Sequence, residues 1–560
     1  MKEFCIHFLN EDRTISASGG TLMQAMISAG IAVDAACGGH GGCGRCTVEV
    51  RRPGSGWEKL RACRTEIDSD MEIRTPDAEK LQLLTEGAAS EVSWNPWAQA
   101  VEVQLPRAVK GENLSDWDRL CFALGNAAAW QPNPEIAGQI SAIERETAGK
   151  FWAVVGEDRV LAVSPENPRP CMAAFDLGTT SIAGFLIRDG KIIARLGMGN
   201  PQAKFGADVI SRAEYALNHG ASDLSACLRQ AVDELLGRLC EAAGVERSAV
   251  YALSVAGNTC MHHLFLDISP ASLVRAPYNP AIRSQMRFFA RDFGIHAHPG
   301  AEMLILPVIA GFVGADTVAC LLAGDWEKRE KCTLLIDIGT NGELVLGNRS
   351  RMVACSTAAG PAFEGAKIEY GMRGADGAID RVWLENGEIR WHVIGGGTAK
   401  GICGSGLVDL AASLLECGAC DGGGRLENGS FAIGDTGISL SQKDVRELQL
   451  AKAAIAAGIE MLAQEMGISI SEIEEVHIAG AFGNALKPEN ACKIGLIPEE
   501  LLGRILSVGN AAGVGCCRAL MNRDFWHASQ RLADRAGFLE LATLPDFQDA
   551  FVDALAFYEE

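Results

Sequence analysis

The sequence predicts a multidomain protein with a small N-terminal α+β domain, a small middle α+β domain and a large, duplicated α/β domain of two lobes. Three observations lead to this prediction. The chain has 560 residues, more than a single hydrophobic core usually spans. A glycine-rich segment near the N-terminus carries closely spaced cysteines. Two similar strand–turn–strand segments lie about 160 residues apart in the C-terminal part.

The composition excludes several classes of protein. Hydrophobic residues at 48% and charged residues at 22% are typical of a folded globular chain and not of a disordered one. The 50 Lys and Arg against 71 Asp and Glu give a net charge of −21, which argues against a nucleic-acid binder. No uncharged apolar run reaches the ~18 residues of a membrane helix, and the N-terminus lacks a signal-peptide core. We therefore expect a cytoplasmic protein without a membrane partner.

The first domain is expected to cover residues 1–80. A strand is predicted at Phe4–Leu9 and a helix at Thr21–Ala29, where apolar residues recur at helical spacing. Two further strands are predicted at Thr47–Arg52 and Met71–Arg74. This order of elements around a glycine-rich loop favours a compact α+β module.

Four cysteines of this domain are candidate metal ligands. Five residues separate Cys37 from Cys43, two separate Cys43 from Cys46, and sixteen separate Cys46 from Cys63. Thiolates suit iron–sulfur clusters and zinc, and the many glycines of the loop allow backbone N–H groups to approach sulfur. A structural zinc site usually has two CxxC pairs, whereas only one is present here. A zinc site and unrelated buried thiols remain as alternatives to an iron–sulfur cluster.

The cysteine spacing resembles that of the plant- and vertebrate-type ferredoxins, and within them the adrenodoxin branch. The plant-type spacing has four residues between the first two cysteines, so the five found here are a departure that leaves the number of ligands unchanged. The resemblance implies a β-grasp fold and a [2Fe–2S] cluster bound by Cys37, Cys43, Cys46 and Cys63.

A linker and a small domain are expected next. Residues 81–99 have little strand pattern and are interpreted as the linker. The middle domain is placed at residues 100–168, with a strand at Val101–Leu105, a helix from Ser115 and a hairpin over 151–164. Three prolines within the six residues that follow the hairpin indicate a boundary.

The rest of the chain, 169–560, is predicted to contain a duplicated fold. Residues 173–187 and 334–347 each read as an apolar strand, then Asp, an apolar residue, Gly and Thr, and a second strand. Because the repeat is far longer than the ~20–50 residues of a solenoid, it indicates two lobes, at about 169–330 and 331–560.

Each Asp-x-Gly-Thr turn has the composition of a phosphate cradle. Backbone N–H groups and a Thr hydroxyl can face an anion there, and Gly allows a phosphate to approach closely. A carboxylate beside phosphate is repulsive unless a divalent cation lies between them, so the two aspartates imply Mg²⁺. Ordinary glycine turns of an α/β protein are the alternative. The residues predicted to bind are Asp176, Gly178, Thr179, Thr180, Asp337, Gly339, Thr340 and Asn341.

A third glycine-rich turn completes a known set of motifs. Residues 476–484 read as a strand that enters a turn containing Gly480 and Gly483. This segment resembles the adenosine motif of the actin, sugar kinase and Hsp70 superfamily, and the turns at Asp176 and Asp337 resemble its first and second phosphate motifs. The resemblance implies that the C-terminal domain is an ATPase whose two lobes close over nucleotide.

The same resemblance implies roles for two helices and an acid. Residues 306–321 stand where the superfamily has its first connecting helix, and the helix around 452–462 suits the second connector. A water-positioning acid often lies near the first connector, and Asp316 is the catalytic candidate. The alternative is that Asp316 is an ordinary carboxylate at a helix N-terminus.

The combination of both parts resembles the reductive activators of corrinoid-dependent methyltransferases and corrinoid proteins, and it does so over essentially the whole chain. Further family-like stretches are 256–266, 356–373 and 402–410. The resemblance implies ATP-dependent transfer of one electron from the [2Fe–2S] cluster to Co(II), which restores Co(I). It implies the cofactors [2Fe–2S], ATP and Mg²⁺, and as partners a corrinoid protein or methyltransferase and an upstream low-potential electron donor.

Other functions fit part of the same pattern. A sugar-kinase-like phosphotransferase could carry a regulatory cluster, and a redox sensor could bind a partner according to nucleotide and cluster state. An ATPase activator of a different low-potential metalloenzyme, such as a radical dehydratase, is a further alternative. Those activators typically hold a [4Fe–4S] cluster at a dimer interface. The oligomeric state, including a homodimer, is left open by the sequence.

Overall fold

The computed structural model describes residues 4–9, 13–28, 46–75, 93–125, 130–339 and 341–557. They form an N-terminal sheet, a middle sheet and two large mixed sheets with helices around them. This confirms the predicted fold class. Among the helices of these ranges, none is both long enough and apolar enough to cross a bilayer.

The N-terminal domain is a five-stranded sheet in the order β2-β1-β5-β3-β4, in which β1 and β5 are parallel. Val48 and Val50 alternate into its core, where Leu22 and Met26 of the helix join them. The alternation of buried residues fixes which face of the sheet the helix covers. The elements are β1 (Phe4–Phe8), β2 (Arg13–Ala17), α1 (Leu22–Ser28), β3 (Thr47–Arg51), β4 (Trp57–Arg61) and β5 (Met71–Arg74).

The next sheet is a three-stranded antiparallel meander, covered by two helices. Ser115 begins the first helix with a capping box in which it and Asp118 bond reciprocally. Asn133 caps the second helix, and Pro134 occupies its first turn. The elements are β6 (Gln99–Gln104), α2 (Asp116–Ala123), α3 (Pro134–Thr147), β7 (Lys150–Val155) and β8 (Val160–Ser164).

The first lobe contains a six-stranded sheet in the order β11-β10-β9-β12-β14-β13. The hairpin of β10 and β11 turns at Asp189–Gly190, where both residues have positive φ, as a tight hairpin turn requires. The elements are β9 (Cys171–Leu177), β10 (Ser181–Arg188), β11 (Lys191–Gly199), α4 (Val209–His219), α5 (Ser222–Ala243), β12 (Val250–Gly257), α6 (Thr259–Phe265), β13 (Met286–Phe289), β14 (Glu302–Ile305) and α7 (Ala315–Ala323).

The second lobe contains a sheet in the order β24-β23-β15-β16-β17-β25 and two smaller sheets. Its elements are β15 (Thr333–Ile338), β16 (Gly342–Gly347), β17 (Met352–Thr357), β18 (Ala378–Glu385), β19 (Glu388–Val393), β20 (Gly401–Ile402), α8 (Gly404–Glu416), β21 (Ser430–Ala432), β22 (Ser439–Ser441), α9 (Gln442–Met466), β23 (Glu475–Ala479), α10 (Gly480–Ala485), α11 (Pro488–Lys493), β24 (Ile505–Gly509), α12 (Ala511–Met521), α13 (Arg523–Arg535), β25 (Ala536–Phe538) and α14 (Phe547–Asp553).

The two large sheets repeat one topology. Strands β9, β10 and β11 form an antiparallel meander, and β15, β16 and β17 form the same meander in the second lobe. On the other side of the first strand, β12 pairs parallel to β9 just as β23 pairs parallel to β15. The carboxyl ends of β9 and β15, which lead into the Asp-x-Gly-Thr turns, therefore occupy equivalent places in the two sheets.

The two sheets enclose a shared layer of helices. In the second lobe, Leu334 and Ile336 face the core that contains α9, whereas Leu335 and Val345 face the core that contains α7, α12 and α13. The first lobe divides in the same way, with Phe175 facing α5 on the opposite side from this shared layer. Helices α7 and α12 therefore lie between the sheets.

This arrangement corrects two expectations about the connecting helices. The helix expected over 306–321 begins only at Ala315, because the residues before it turn at the Ala310–Val313 bridge. The helix expected to pair with it, around 452–462, is part of α9 and packs on the outer face of the second sheet. Its place is taken by α12, whose residues are buried on every side, as a helix between two sheets requires.

Close contact between α7 and α12 depends on Gly515. A Cβ atom at this position would lie 1.8 Å from the carbonyl oxygen of Ala319, which is a backbone atom and cannot rotate away. We expect Gly515→Val to force the helices apart and to lower the free energy of unfolding by about 1–3 kcal/mol or more. Urea unfolding followed by circular dichroism measures this change.

Gly138→Ala is the matched control for this substitution. Gly138 lies in α3, and a Cβ there would meet nothing within 4 Å. Alanine should stabilise that helix by up to ~1 kcal/mol, since glycine is the weaker helix former. Equal effects of the two substitutions would contradict the tight crossing of α7 and α12.

Candidate functional site

Two of the four predicted cluster ligands lie side by side. Cys46 directly precedes β3, and Cys63 lies two residues beyond the end of β4, so the antiparallel pairing of these strands brings the two residues together. Their sulfur atoms are 3.2 Å apart and buried, too far apart for a disulfide and suited to a shared metal group. Cys37 and Cys43 lie outside the described residues. The ligand set therefore stays a prediction, with which the geometry of Cys46 and Cys63 agrees.

The first predicted phosphate turn joins β9 to β10. Only glycine fits at Gly178, since a Cβ there would lie 2.7 Å from the carbonyl oxygen of Ser181. Two asparagines support the turn. The Asn200 side chain donates to the Gly178 carbonyl at 2.8 Å, and the Asn258 side chain donates to the Thr179 hydroxyl at 2.9 Å. Sequence reasoning missed both, although each follows a Gly at the end of a strand.

The Thr180 hydroxyl reaches across the cleft between the lobes. It donates to a carboxylate oxygen of Glu364 in the second lobe at 3.3 Å. The loop that carries Glu364 was noted in the sequence as a family-like stretch, but this residue was not selected. The two lobes therefore touch at the first predicted phosphate turn.

The second predicted phosphate turn joins β15 to β16. The Gly339 N–H donates to the Asn341 carbonyl at 2.9 Å, and a Cβ at Gly339 would lie 3.8 Å from the same oxygen, an ordinary van der Waals contact. Thr340 lies outside the described residues. Asn341 lines a cavity between the lobes, together with Glu343 of its own lobe and Asn258 of the first.

The third glycine-rich turn meets the second. Gly480 begins α10 with φ +85°, a conformation that favours glycine, and a Cβ there would lie 3.0 Å from a carboxylate oxygen of Asp337. At Gly483, a Cβ would lie 2.4 Å from the side chain of Ile478. Both predicted glycines are thus required by packing, and Gly480 lies directly against the predicted phosphate site.

Four carboxyl groups form an acidic centre at the floor of the cleft. Burial, followed by the negative charge of Asp337, raises the pKa of Asp176 to about 7. A hydrogen bond with Asn510 acts in the opposite direction and lowers this pKa. Burial and Asp337 raise the pKa of Asp316 to about 8, and burial raises the pKa of Asp337 to about 6. Burial, Asp316 and Asp337 raise the pKa of Glu343 well above its ordinary value.

Glu343 was missed by sequence reasoning. It lies directly opposite Asp337 in the β15–β16 pair, so both side chains point to the same face of the sheet. In the first lobe the residue opposite Asp176 is Ala183. The second turn therefore carries an additional acid, and the strand register could have revealed it.

The acidic centre fits a hydrated Mg²⁺ bound with phosphate. Within the described ranges, the main causes that shift the pKa values of its four members are burial, neighbouring carboxylates and hydrogen bonds, and no Lys or Arg is among them. In the same part of the chain, no three Asp, Glu, His or Cys side chains converge closely enough to hold a metal alone. Mg²⁺ usually takes one or two carboxylates, several waters and substrate phosphates, which matches this arrangement.

The raised pKa values predict how the nucleotide-free protein responds to pH. Near pH 4 the three aspartates begin to ionise in the unfolded chain, whereas in the folded chain Asp337, Asp176 and Asp316 have pKa values of about 6, 7 and 8. The free energy of unfolding of the nucleotide-free protein should therefore fall progressively as the pH rises from about 4 to 8. Asp316→Asn should reduce this loss, and its thermal midpoint across pH 5–8 measures the difference from the unchanged protein.

Asp435→Asn is the control for the pH experiment, because it removes one exposed carboxylate outside the cleft. In Asp435→Asn, the thermal midpoint should depend on pH in the same way as in the unchanged protein. If Asp316→Asn also left it unchanged, the acidic centre would not be the source of the effect.

Three family models match the chain. Their descriptions are the C-terminal domain of RACo, the ASKHA domain, over residues 331–560, the RACo middle region over 171–329, and a 2Fe-2S iron–sulfur cluster binding domain over 6–74. The first two models meet between the lobes, so the family's middle region corresponds to the first lobe.

Individual proteins match over most of their length. The corrinoid activation enzyme RamQ of Eubacterium limosum is 33% identical over 562 residues, which is 94% of each chain. The [Co(II) methylated amine-specific corrinoid protein] reductase of Methanosarcina barkeri is 27% identical over 69% of this chain and 77% of its own. A solved reductive activator for corrinoid,iron-sulfur protein has a TM-score of 0.77 at 30% identity, and the match covers 99% of this chain and 98% of that chain.

Proposed function

The chain belongs to the RACo family of corrinoid activation enzymes, and we propose that it uses ATP to return a corrinoid protein from Co(II) to Co(I). The iron–sulfur cluster held by the N-terminal domain would supply the single electron that reduces the cobalt. The observation that carries this proposal is the presence, in one chain, of a ferredoxin-type cysteine pair and an acidic cleft between two phosphate turns. The relatives that match over nearly the whole chain are themselves named for corrinoid activation.

The cluster ligands in this proposal are Cys37, Cys43, Cys46 and Cys63. When bound, a [2Fe–2S] group supplies a single electron at low potential. The chain's own contribution is to hold the thiolates: the β3–β4 pair fixes Cys46 and Cys63, and the N–H of Ala62 donates to the Cys46 carbonyl at 2.8 Å. An upstream low-potential donor would restore the electron after each transfer.

The nucleotide in this proposal is ATP with Mg²⁺. The ion would neutralise the carboxylates of Asp176 and Asp337 beside the phosphates, and Asp316 at the start of α7 would orient the attacking water. The Thr317 N–H donates to Asp316 at 2.8 Å and holds its carboxylate in place. The residues proposed to contact the nucleotide are Asp176, Gly178, Thr179, Thr180, Asp337, Gly339, Thr340, Asn341, Gly480 and Gly483.

ATP is needed in this proposal because the electron moves uphill. Plant-type clusters have potentials near about −400 mV, and each further 100 mV costs roughly 2.3 kcal/mol per electron. A family-level expectation places the Co(II)/Co(I) couple lower than the cluster. Closure of the lobes can offset this cost only if the closed state binds the partner with a different affinity from the open state.

The partner is a corrinoid protein. We propose more specifically that it serves a corrinoid-dependent methyltransferase. A homodimer is also compatible with the proposal, since nothing in the reaction requires a single copy. The protein is expected to transfer no phosphate to a metabolite and to use the nucleotide for encounter, electron transfer and release.

Anaerobic spectroscopy tests the proposal. The purified or reconstituted protein should contain about two irons per chain and give the EPR signal of a reduced [2Fe–2S] cluster. With an electron donor present, Mg²⁺ and ATP should accelerate the conversion of a Co(II) corrinoid protein to Co(I), followed by absorption. Equal rates with and without ATP would overturn the coupling, and a colourless reconstituted protein would overturn the electron transfer.

A further inference from the structure

The segment 93–98 is bound to the C-terminal end of α12. This segment follows residues 76–92, which connect it to the iron–sulfur domain. The N–H of Asn95 donates to the Met521 carbonyl at 3.1 Å, and the N–H of Trp97 donates to the Leu520 carbonyl at 2.8 Å. The Asn522 side chain donates to both the carbonyl and the hydroxyl oxygen of Ser93, at 2.9 and 2.8 Å.

Buried side chains make this attachment rigid. Trp97 is fully buried, and its indole N–H donates to Glu302 of the first sheet at 2.8 Å. The ring of Trp97 meets Trp526 of α13 edge-on at 5.7 Å, and the guanidinium of Arg287 lies over its other side at 5.0 Å. Arg287 and Arg159 both pair with the buried Glu302 carboxylate, so its charge is satisfied.

The N-terminal end of the same helix reaches the acidic centre. Asn510 caps α12, accepting from the Gly513 N–H at 2.6 Å, and also hydrogen-bonds the Asp176 carboxylate. One turn further, the Cys516 carbonyl accepts from the Ser254 hydroxyl of β12 at 2.9 Å. The eleven residues of α12 therefore span about 16 Å between the first phosphate turn and the attached segment.

We propose that α12 couples nucleotide occupancy at the Asp176 turn to the segment 93–98, and through that segment to the iron–sulfur domain. The inference rests on the proposed function, which supplies the nucleotide and the cluster. A helix buried on all sides between two sheets moves as a unit, because close packing leaves no room for it to bend. Its N-terminal end contacts the Asp176 turn, and its C-terminal end contacts the segment 93–98, which follows the iron–sulfur domain along the chain.

Nucleotide binding and the hydrogen bonds of the segment 93–98 should be thermodynamically linked through α12. If nucleotide binding shifts α12, the hydrogen bonds of Asn95 and Trp97 must differ between the free and bound states, and changes at the segment must in turn alter nucleotide affinity. Coupling of typical strength, about fivefold or more, would change the exchange rates of these two amides by that factor.

Hydrogen exchange measured by mass spectrometry tests the coupling without electron transfer. We expect Mg²⁺ with AMP-PNP to alter the exchange of residues 93–98 by about fivefold or more and to protect the turns at Asp176 and Asp337. Protection of the turns with no change at 93–98 would overturn the inference while leaving the proposed function standing. A failure of cobalt reduction would count against the proposed function alone.

Asn522→Asp and Ser93→Ala test the same coupling by substitution. Aspartate keeps the oxygen that caps α13 but loses the amide donors to Ser93, and Ser93→Ala removes only one acceptor. In Asn522→Asp, the factor by which ATP accelerates cobalt reduction should be about tenfold smaller than in the unchanged protein. The rate of ATP hydrolysis should be unchanged. Asn133→Asp, which alters the equivalent cap of α3, is the matched control. Equal ATP acceleration in Asn522→Asp, Ser93→Ala and this control would overturn the inference.

Discussion

Replacing Cys63 with alanine is expected to abolish both the visible absorption of the protein and its reduction of a Co(II) corrinoid protein. The Cys63 sulfur lies 3.2 Å from that of Cys46 in the position of a shared ligand pair, and removal of a thiolate ligand leaves an iron–sulfur cluster incompletely held. ATP hydrolysis should persist, because its residues belong to the C-terminal lobes. Absorption spectra, iron content and separate assays of reduction and hydrolysis measure these outcomes.

Cys121→Ala provides the matched control. Cys121 is a buried thiol of α2, so the substitution removes the same side-chain volume from a buried position without touching the predicted cluster. It should keep both the colour and the reduction activity. A Cys63→Ala protein that retained a full complement of iron and its EPR signal would remove Cys63 from the ligand set.

Asp337→Asn is expected to produce opposite changes in activity and stability. ATP hydrolysis and ATP-driven cobalt reduction should fall about 100-fold, because the substitution removes a carboxylate that we propose to hold Mg²⁺ against phosphate. The nucleotide-free protein should become more stable, since Asp337 lies directly opposite Glu343 and raises the pKa of three neighbouring acids. Steady-state kinetics and thermal unfolding near pH 8 measure the two effects.

Asp189→Asn makes the same chemical change outside the cleft. Asp189 lies in the turn between β10 and β11 with φ +50°, which asparagine tolerates, and its carboxylate forms an exposed ion pair of 3.5 Å with Arg169. Activity and stability should both stay near those of the unchanged protein. If Asp337→Asn behaved like this control, Asp337 would not belong to the nucleotide site.

Short-range patterns in the sequence carried the prediction of family and fold class, both of which are confirmed. Thiolate chemistry depends on spacings of a few residues, and the phosphate turns depend on Asp, Gly and Thr next to one another. Such features can be recognised locally because the atoms involved are close along the chain. The individual ligand and nucleotide residues remain predictions, with Cys37, Cys43 and Thr340 outside the described residues.

What the sequence alone determined is therefore the set of chemical groups and the two-fold repetition of the strand–turn–strand unit. Only the tertiary structure decided which helix lies between the sheets, since periodicity identifies the buried side of a helix but not its neighbour. It also decided that Asp176, Asp316, Asp337 and Glu343 share one cleft, and that residues 93–98 sit at the far end of α12. These contacts join residues up to hundreds of positions apart, and only the packing of complete layers brings them together.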